Sequence, residues 1–119
     1  MKILFTIFAL VFILNIGWGQ QQVIPDSVQY FAGKTITVCA KVADTFVTKS
    51  EKKITHLNFE HAYPNQTFSV TIFESDLPKF AYVPSEFLKE KNVCVTGSVK
   101  MYAGRAEIIV NSDKQLKVQ

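Results

Sequence analysis

The sequence predicts an all-β protein, a small five-stranded barrel with one short helix between the third and fourth strands. Three observations carry this. Two β-rich runs near the end, Val93–Val99 and Ala106–Val110, flank a link through Tyr102 and Gly104, with Gly97 inside the first run. Strand-interior glycine is costly unless the strand bends or another backbone comes close, so the pair reads as a bent hairpin of the kind a barrel corner needs. Upstream, three more runs are rich in strand-forming residues, with apolar alternation clearest in the first and third. The one stretch with helix-compatible residues falls between these two groups.

The first nineteen residues stand apart from that fold. Lys2 is the only charge before Asp26, and Ile3–Ile16 is apolar except for Thr6 and Asn15. Gly17 and Gly19 supply small residues just before Gln20. A positive start, a short apolar core and a small-residue cleavage point make a secretory signal. A spanning helix needs about 20 apolar residues, more than this core offers. Residues 1–19 are therefore expected to be a signal peptide, and the chain to be exported to the periplasm or secreted.

Residues 20–29 are polar around Pro25 and read as an exposed lead-in to a domain over residues 30–112. The first strand covers Lys34–Ala43, with Ile36, Val38, Ala40 and Val42 on one face. Asp44–Lys53 is a polar connection carrying Lys49, Lys52 and Lys53, in which Phe46 and Val47 are apolar enough to extend the strand. Ile54–Phe59 forms the second strand. His61–Gln66, with Pro64 and Asn65, has the chemistry of a turn. Thr67–Phe73 is the third strand, with Phe68, Val70 and Ile72 on one face. Glu74–Lys91 breaks the alternation with Pro78 and Pro84. Pro84 suits the first turn of a helix continuing to Glu90, with Phe87 and Leu88 facing inward. The hairpin follows, and residues 113–119 read as a loose tail.

The chain has two cysteines. Cys39 falls on the Thr37/Lys41 face of its strand, and Cys94 falls with Thr96 and Ser98. Both are outward, as neighbours on paired strands would be. An even count in an exported protein favours a Cys39–Cys94 disulfide over two separate thiols, and such a bridge would add about 4 kcal/mol on the chain-entropy estimate. A CxxC motif for redox or zinc chemistry is absent from the sequence.

Three strands, a helix and two strands is the order of the OB-fold, a Greek-key barrel whose first and fourth strands are neighbours. The cysteine placement agrees with that topology. An SH3-like barrel, the main alternative, leaves Asp76–Lys91 unexplained.

The stretches Gly33–Cys39, Tyr63–Phe68 and Val93–Val99 also resemble small OB-fold domains of exported bacterial proteins, described as nucleic-acid-binding or tRNA-anticodon-like modules. The resemblance covers Tyr30 to Val110. It implies a ligand face on the second and third strands, flanked by the loops between strands one and two and between four and five. Counting outward gives Ile54, His56 and Asn58, then Ser69, Thr71 and Phe73. The flanking loops add Lys49, Lys52 and Lys53, and Lys100, Tyr102 and Arg105. Cations, hydrogen-bonding groups and two candidate stacking rings suit single-stranded nucleic acid. The same lysines would also serve as a solvated edge that discourages aggregation. Tyr63–Gln66 reads first as a structural turn, with Tyr63 covering the barrel end.

The formal net charge is +3, and losing Lys2 with the signal lowers it by one. That excludes a strongly basic polyanion binder. No catalytic constellation is recognisable. His56, His61 and Glu60 specify no third metal ligand, and Arg105 is the only arginine, too few for the phosphate-binding set of a nuclease on this barrel. The sequence therefore predicts a non-enzymatic binding protein without a cofactor or metal. Single-stranded nucleic acid outside the cytoplasm is the first ligand class. An envelope module for glycan, peptide or a protein partner is the alternative.

Overall fold

The computed structural model describes residues 21–119, so the expected signal peptide lies outside the described residues. The organising element is β2 (Thr35–Val47), a strand after the short β1 (Gln21–Val23). Ile36, Val38 and Val42 of β2 point into the core and are fully buried. The first half of β2 pairs antiparallel with β5 (Asn92–Tyr102), and Cys39 lies opposite Cys94. A disulfide joins these two residues. The register then shifts between Val42 and Asp44, and the second half pairs antiparallel with β3 (Ile54–Phe59). An extra residue at such a bulge bends the strand and reverses the phase of its alternation. One strand thereby serves two ladders.

From β3 the pairing continues to β4 (Phe68–Phe73), which runs parallel to β6 (Arg105–Ile109), and β6 forms the hairpin with β5. Among the described residues the sheet has seven strands, in the order β1–β2–β3–β4–β6–β5–β7, with β2 also paired to β5. Inward-facing residues of these strands, among them Leu57, Phe59, Phe68, Val70, Ile72, Val93, Val95 and Ile108, form one core. The Phe59 and Phe68 rings stack inside it with centroids 4.4 Å apart.

Four expectations are corrected here. The strand count rises from five to seven, because both ends of the described chain add to the sheet. Gln21–Val23 pairs parallel with β2, and Pro25–Phe31 forms a 3-10 segment whose Val28 is fully buried, so this stretch is not an exposed lead-in. The loose tail is instead a 3-10 turn at Asp113–Gln115 followed by β7 (Leu116–Val118), which pairs with β5 and buries Leu116. Ser112 caps that turn, and the Gln115 side chain ties it down by donating from Nε2 to the Thr96 carbonyl, 3.0 Å away. Finally, helix α1 (Pro84–Phe87) is a single turn: Leu88 just after it is buried, but Phe87 is 43% exposed rather than inward. Its ring lies against Tyr82 and under Lys91 Nζ.

At Gly97, where β5 passes from its pairing with β2 to its pairing with β6, the absence of a side chain is also a matter of space. A Cβ there would stand 2.7 Å from Ile108 Cγ2 and 3.2 Å from Gln115 Nε2. The missing side chain makes room for these two neighbours. The hairpin itself turns on Ala103 (φ 52°) and Gly104 (φ 79°). Two consecutive left-handed residues between the paired Tyr102 and Arg105 match the right-handed twist of the flanking strands.

Candidate functional site

Residues paired across neighbouring strands project from the same side of a sheet. The register therefore builds two outward rows. In one, Asp44, Asn58, Ser69 and Glu107 stand opposite one another on β2, β3, β4 and β6. The next contains Phe46, His56, Thr71 and Ile109. Polar contacts order these rows. Asn58 Nδ2 donates to Asp44 Oδ1 at 2.8 Å. Thr71 Oγ1 donates to Glu107 Oε2 and lies 3.4 Å from His56 Nδ1. Asn58 and Thr71 are consequently buried with their hydrogen bonds made. The Phe46 ring lies nearly parallel to His56, with centroids 6.4 Å apart.

A wall rises at the Asn58 end of these rows. Tyr63 and Gln66 come from the β3–β4 connection, and Tyr102 and Arg105 from the ends of the β5–β6 hairpin. Arg105 holds the two segments together, donating from Nη1 to the Pro64 carbonyl at 2.7 Å, with its guanidinium 5.6 Å from the Tyr63 ring centroid. Floor and wall enclose an open groove of about 660 Å³. Three of its rings are largely solvent-exposed: Phe46 at 54%, Tyr63 at 67% and Tyr102 at 71%. Exposed rings carry apolar surface that a flat ligand can cover.

The charge pattern in the groove is mixed. Arg105 shares the groove with two carboxylates, Asp44 and Glu107. Neither carboxylate has an ion pair within 4 Å; among the described residues those pairs are Lys41–Glu90 and Lys79–Asp76. Gln66 Oε1 is enclosed and has no hydrogen-bond partner among the described residues. Among the described residues, no three His, Cys, Asp or Glu side chains converge to hold a metal ion.

Of the residues singled out from sequence, His56, Asn58, Ser69, Tyr102 and Arg105 line the groove, and Thr71 buttresses it from below. Lys49, Lys52 and Lys53 stand exposed on the β2–β3 connection, beyond the Phe46 end. Phe73 is 42% exposed at the end of β4, opposite Ile54, and Lys100 is exposed on β5 opposite Glu107; neither lines the groove. Sequence reasoning missed Asp44, Phe46 and Glu107 as groove residues, and it gave Tyr63 a covering role. Tyr63 does not seal an end of the core; it stands exposed at the groove wall.

No protein-family model matches the sequence, and no curated protein sequence does. Solved structures do resemble it in shape. A chain of the yeast Stn1 and Ten1 structure aligns with a TM-score of 0.59 at 11% identity, over 85% of this chain and 63% of that one. RecG bound to a three-way DNA junction aligns with a TM-score of 0.59 at 18% identity, over 87% of this chain and 13% of RecG. A putative aspartyl-tRNA synthetase from Leishmania major Friedlin aligns with a TM-score of 0.52 at 17% identity, over 86% of this chain and 21% of the synthetase. The chain thus spans less than two thirds of each. The likeness is one of fold: a mostly β chain with OB-fold neighbours.

Proposed function

We propose that the protein is a non-enzymatic OB-fold binding domain that holds single-stranded nucleic acid in this groove, acting outside the cytoplasm after export. The sheet does not close as the expected barrel, but in this reading β2, β3, β4, β6 and β5 follow the strand order of that fold. One observation carries the proposal: Phe46, Tyr63 and Tyr102 leave three exposed rings around a single groove on the outer face of β3, β4 and β6. Bases of every kind can stack on such rings, each contributing about 1–3 kcal/mol. The neighbouring RecG structure, which contains a bound DNA junction, supports the ligand class.

The phosphates would run along the rim rather than the floor. Arg105 stands at one end of the groove, and Lys49, Lys52 and Lys53 lie beyond the other. With so few cations, affinity falls with salt but by a modest slope, since the slope counts the phosphates neutralised. Titration of short oligonucleotides at two salt concentrations tests this. Binding that weakens as salt rises, and weakens further in Tyr102→Ala, is the expected result. Absent or salt-insensitive binding would overturn the reading in favour of a glycan, peptide or protein ligand.

A further inference from the structure

The groove floor offers acceptors where a ligand would need to bring donors. Asn58 gives an amide hydrogen to Asp44 Oδ1, and Thr71 gives its hydroxyl hydrogen to Glu107 Oε2. Asp44 Oδ2 and Glu107 Oε1 keep both lone pairs and the bonded oxygens keep one each, so either carboxylate can still accept on both oxygens. Neither residue is in an ion pair within 4 Å, although Lys100 stands opposite Glu107 in the β5–β6 ladder. A ligand that brings hydrogens to these carboxylates is therefore favoured over one that brings lone pairs, since an acceptor covered without a donor is costly.

Nucleobases differ in this respect. Guanine presents two adjacent donors, N1–H and the N2 amino group, which fit the two oxygens of one carboxylate. Thymine and uracil present a single N–H between two carbonyl oxygens, and those oxygens meet a carboxylate unfavourably. Single strands expose these edges to the protein. We infer that the groove selects guanine over thymine or uracil, with Glu107 and Asp44 each able to accept from the edge of a separate guanine and the tyrosine rings stacking on base faces. This inference rests on the single-stranded nucleic-acid reading above. Asp44 and Glu107 lie at opposite ends of a four-strand row, three strand spacings or roughly 14 Å apart. Each carboxylate therefore addresses a different nucleotide.

The test uses the folded chain and fluorescent oligonucleotides by anisotropy. A strand of dT is compared with the same strand carrying isolated dG positions, spaced so that guanines do not self-associate, and with one carrying deoxyinosine there instead. The dG strand is expected to bind roughly tenfold or more tightly than dT, the size of a good two-bond base contact. Deoxyinosine, which lacks the N2 amino group, falls between them. In a protein carrying both Asp44→Asn and Glu107→Gln the dG preference shrinks, because each amide replaces one acceptor with a donor. The carboxamide oxygen introduced by Glu107→Gln can still accept from Thr71, which preserves the local support. The deoxyinosine comparison needs no variant and so stands even if the double substitution disturbs folding. Equal affinity for dG and dT, or a preference intact in the doubly substituted protein, would overturn the base selectivity while leaving nucleic-acid binding in place. Failure of every strand to bind would overturn both.

Discussion

Ala103 sits in a left-handed backbone conformation, φ 52°, at the first central position of the hairpin turn. Asparagine and glycine adopt that conformation more readily than alanine does. Ala103→Asn is therefore expected to raise stability by about 0.5–1 kcal/mol, read as a higher denaturant midpoint. The opposite result is expected a few residues earlier. Gly97→Ala would push a methyl group to 2.7 Å from Ile108 Cγ2, costing about 1–3 kcal/mol as overpacking does. At Tyr82, burial pushes the phenol above its usual value of 10.0, and the Asp113 carboxylate adds to the shift. The folded state thus favours the protonated ring. Stability from this group is full below pH 10 and is lost as pH rises through the raised value, so alkaline titration of Tyr82→Phe should show a smaller fall.

At the scale of elements, β2 explains both what the sequence revealed and what it hid. Its alternation through Val42 was legible, and it placed Cys39 outward beside Cys94 as observed. The same alternation continued past Val42 would turn Asp44 and Phe46 inward. The bulge reverses the phase there, and both residues face the groove instead. A one-residue irregularity has no composition signal. Strands β1 and β7 escaped for another reason: three residues are too few to show a period, and each is held by an edge pairing that only the folded sheet supplies. That pairing is expected to matter for stability. Leu116→Ala on β7 should cost about 2–4 kcal/mol, the ordinary range for a buried leucine, measured by thermal or urea unfolding. An unchanged midpoint would mean that β7 adds nothing to the core. Reduction of the Cys39–Cys94 bridge, which spans 55 residues, should cost about 4 kcal/mol more.

For the molecule as a whole, the order of strands and helix was readable because the five long strands carry strand-forming runs and the prolines mark the break at Glu74–Lys91. The groove was readable only where a strand face supplied it. His56, Asn58 and Ser69 follow from counting along β3 and β4, whereas Tyr63 and Gln66 sit in a connection that meets the hairpin through the bond from Arg105 to the Pro64 carbonyl. Nothing periodic announces a loop brought home by a distant arginine. The lysines drew attention by charge, yet the groove is made chiefly by rings and acceptors. The central claim is that single-stranded nucleic acid occupies this groove, and amide chemical-shift mapping with a short oligonucleotide tests it most directly. Shifts concentrated at Phe46, His56, Tyr63, Tyr102 and Arg105 are the expected result. Shifts centred instead on the opposite face around Cys39 and Cys94, or none at saturating oligonucleotide, would contradict it.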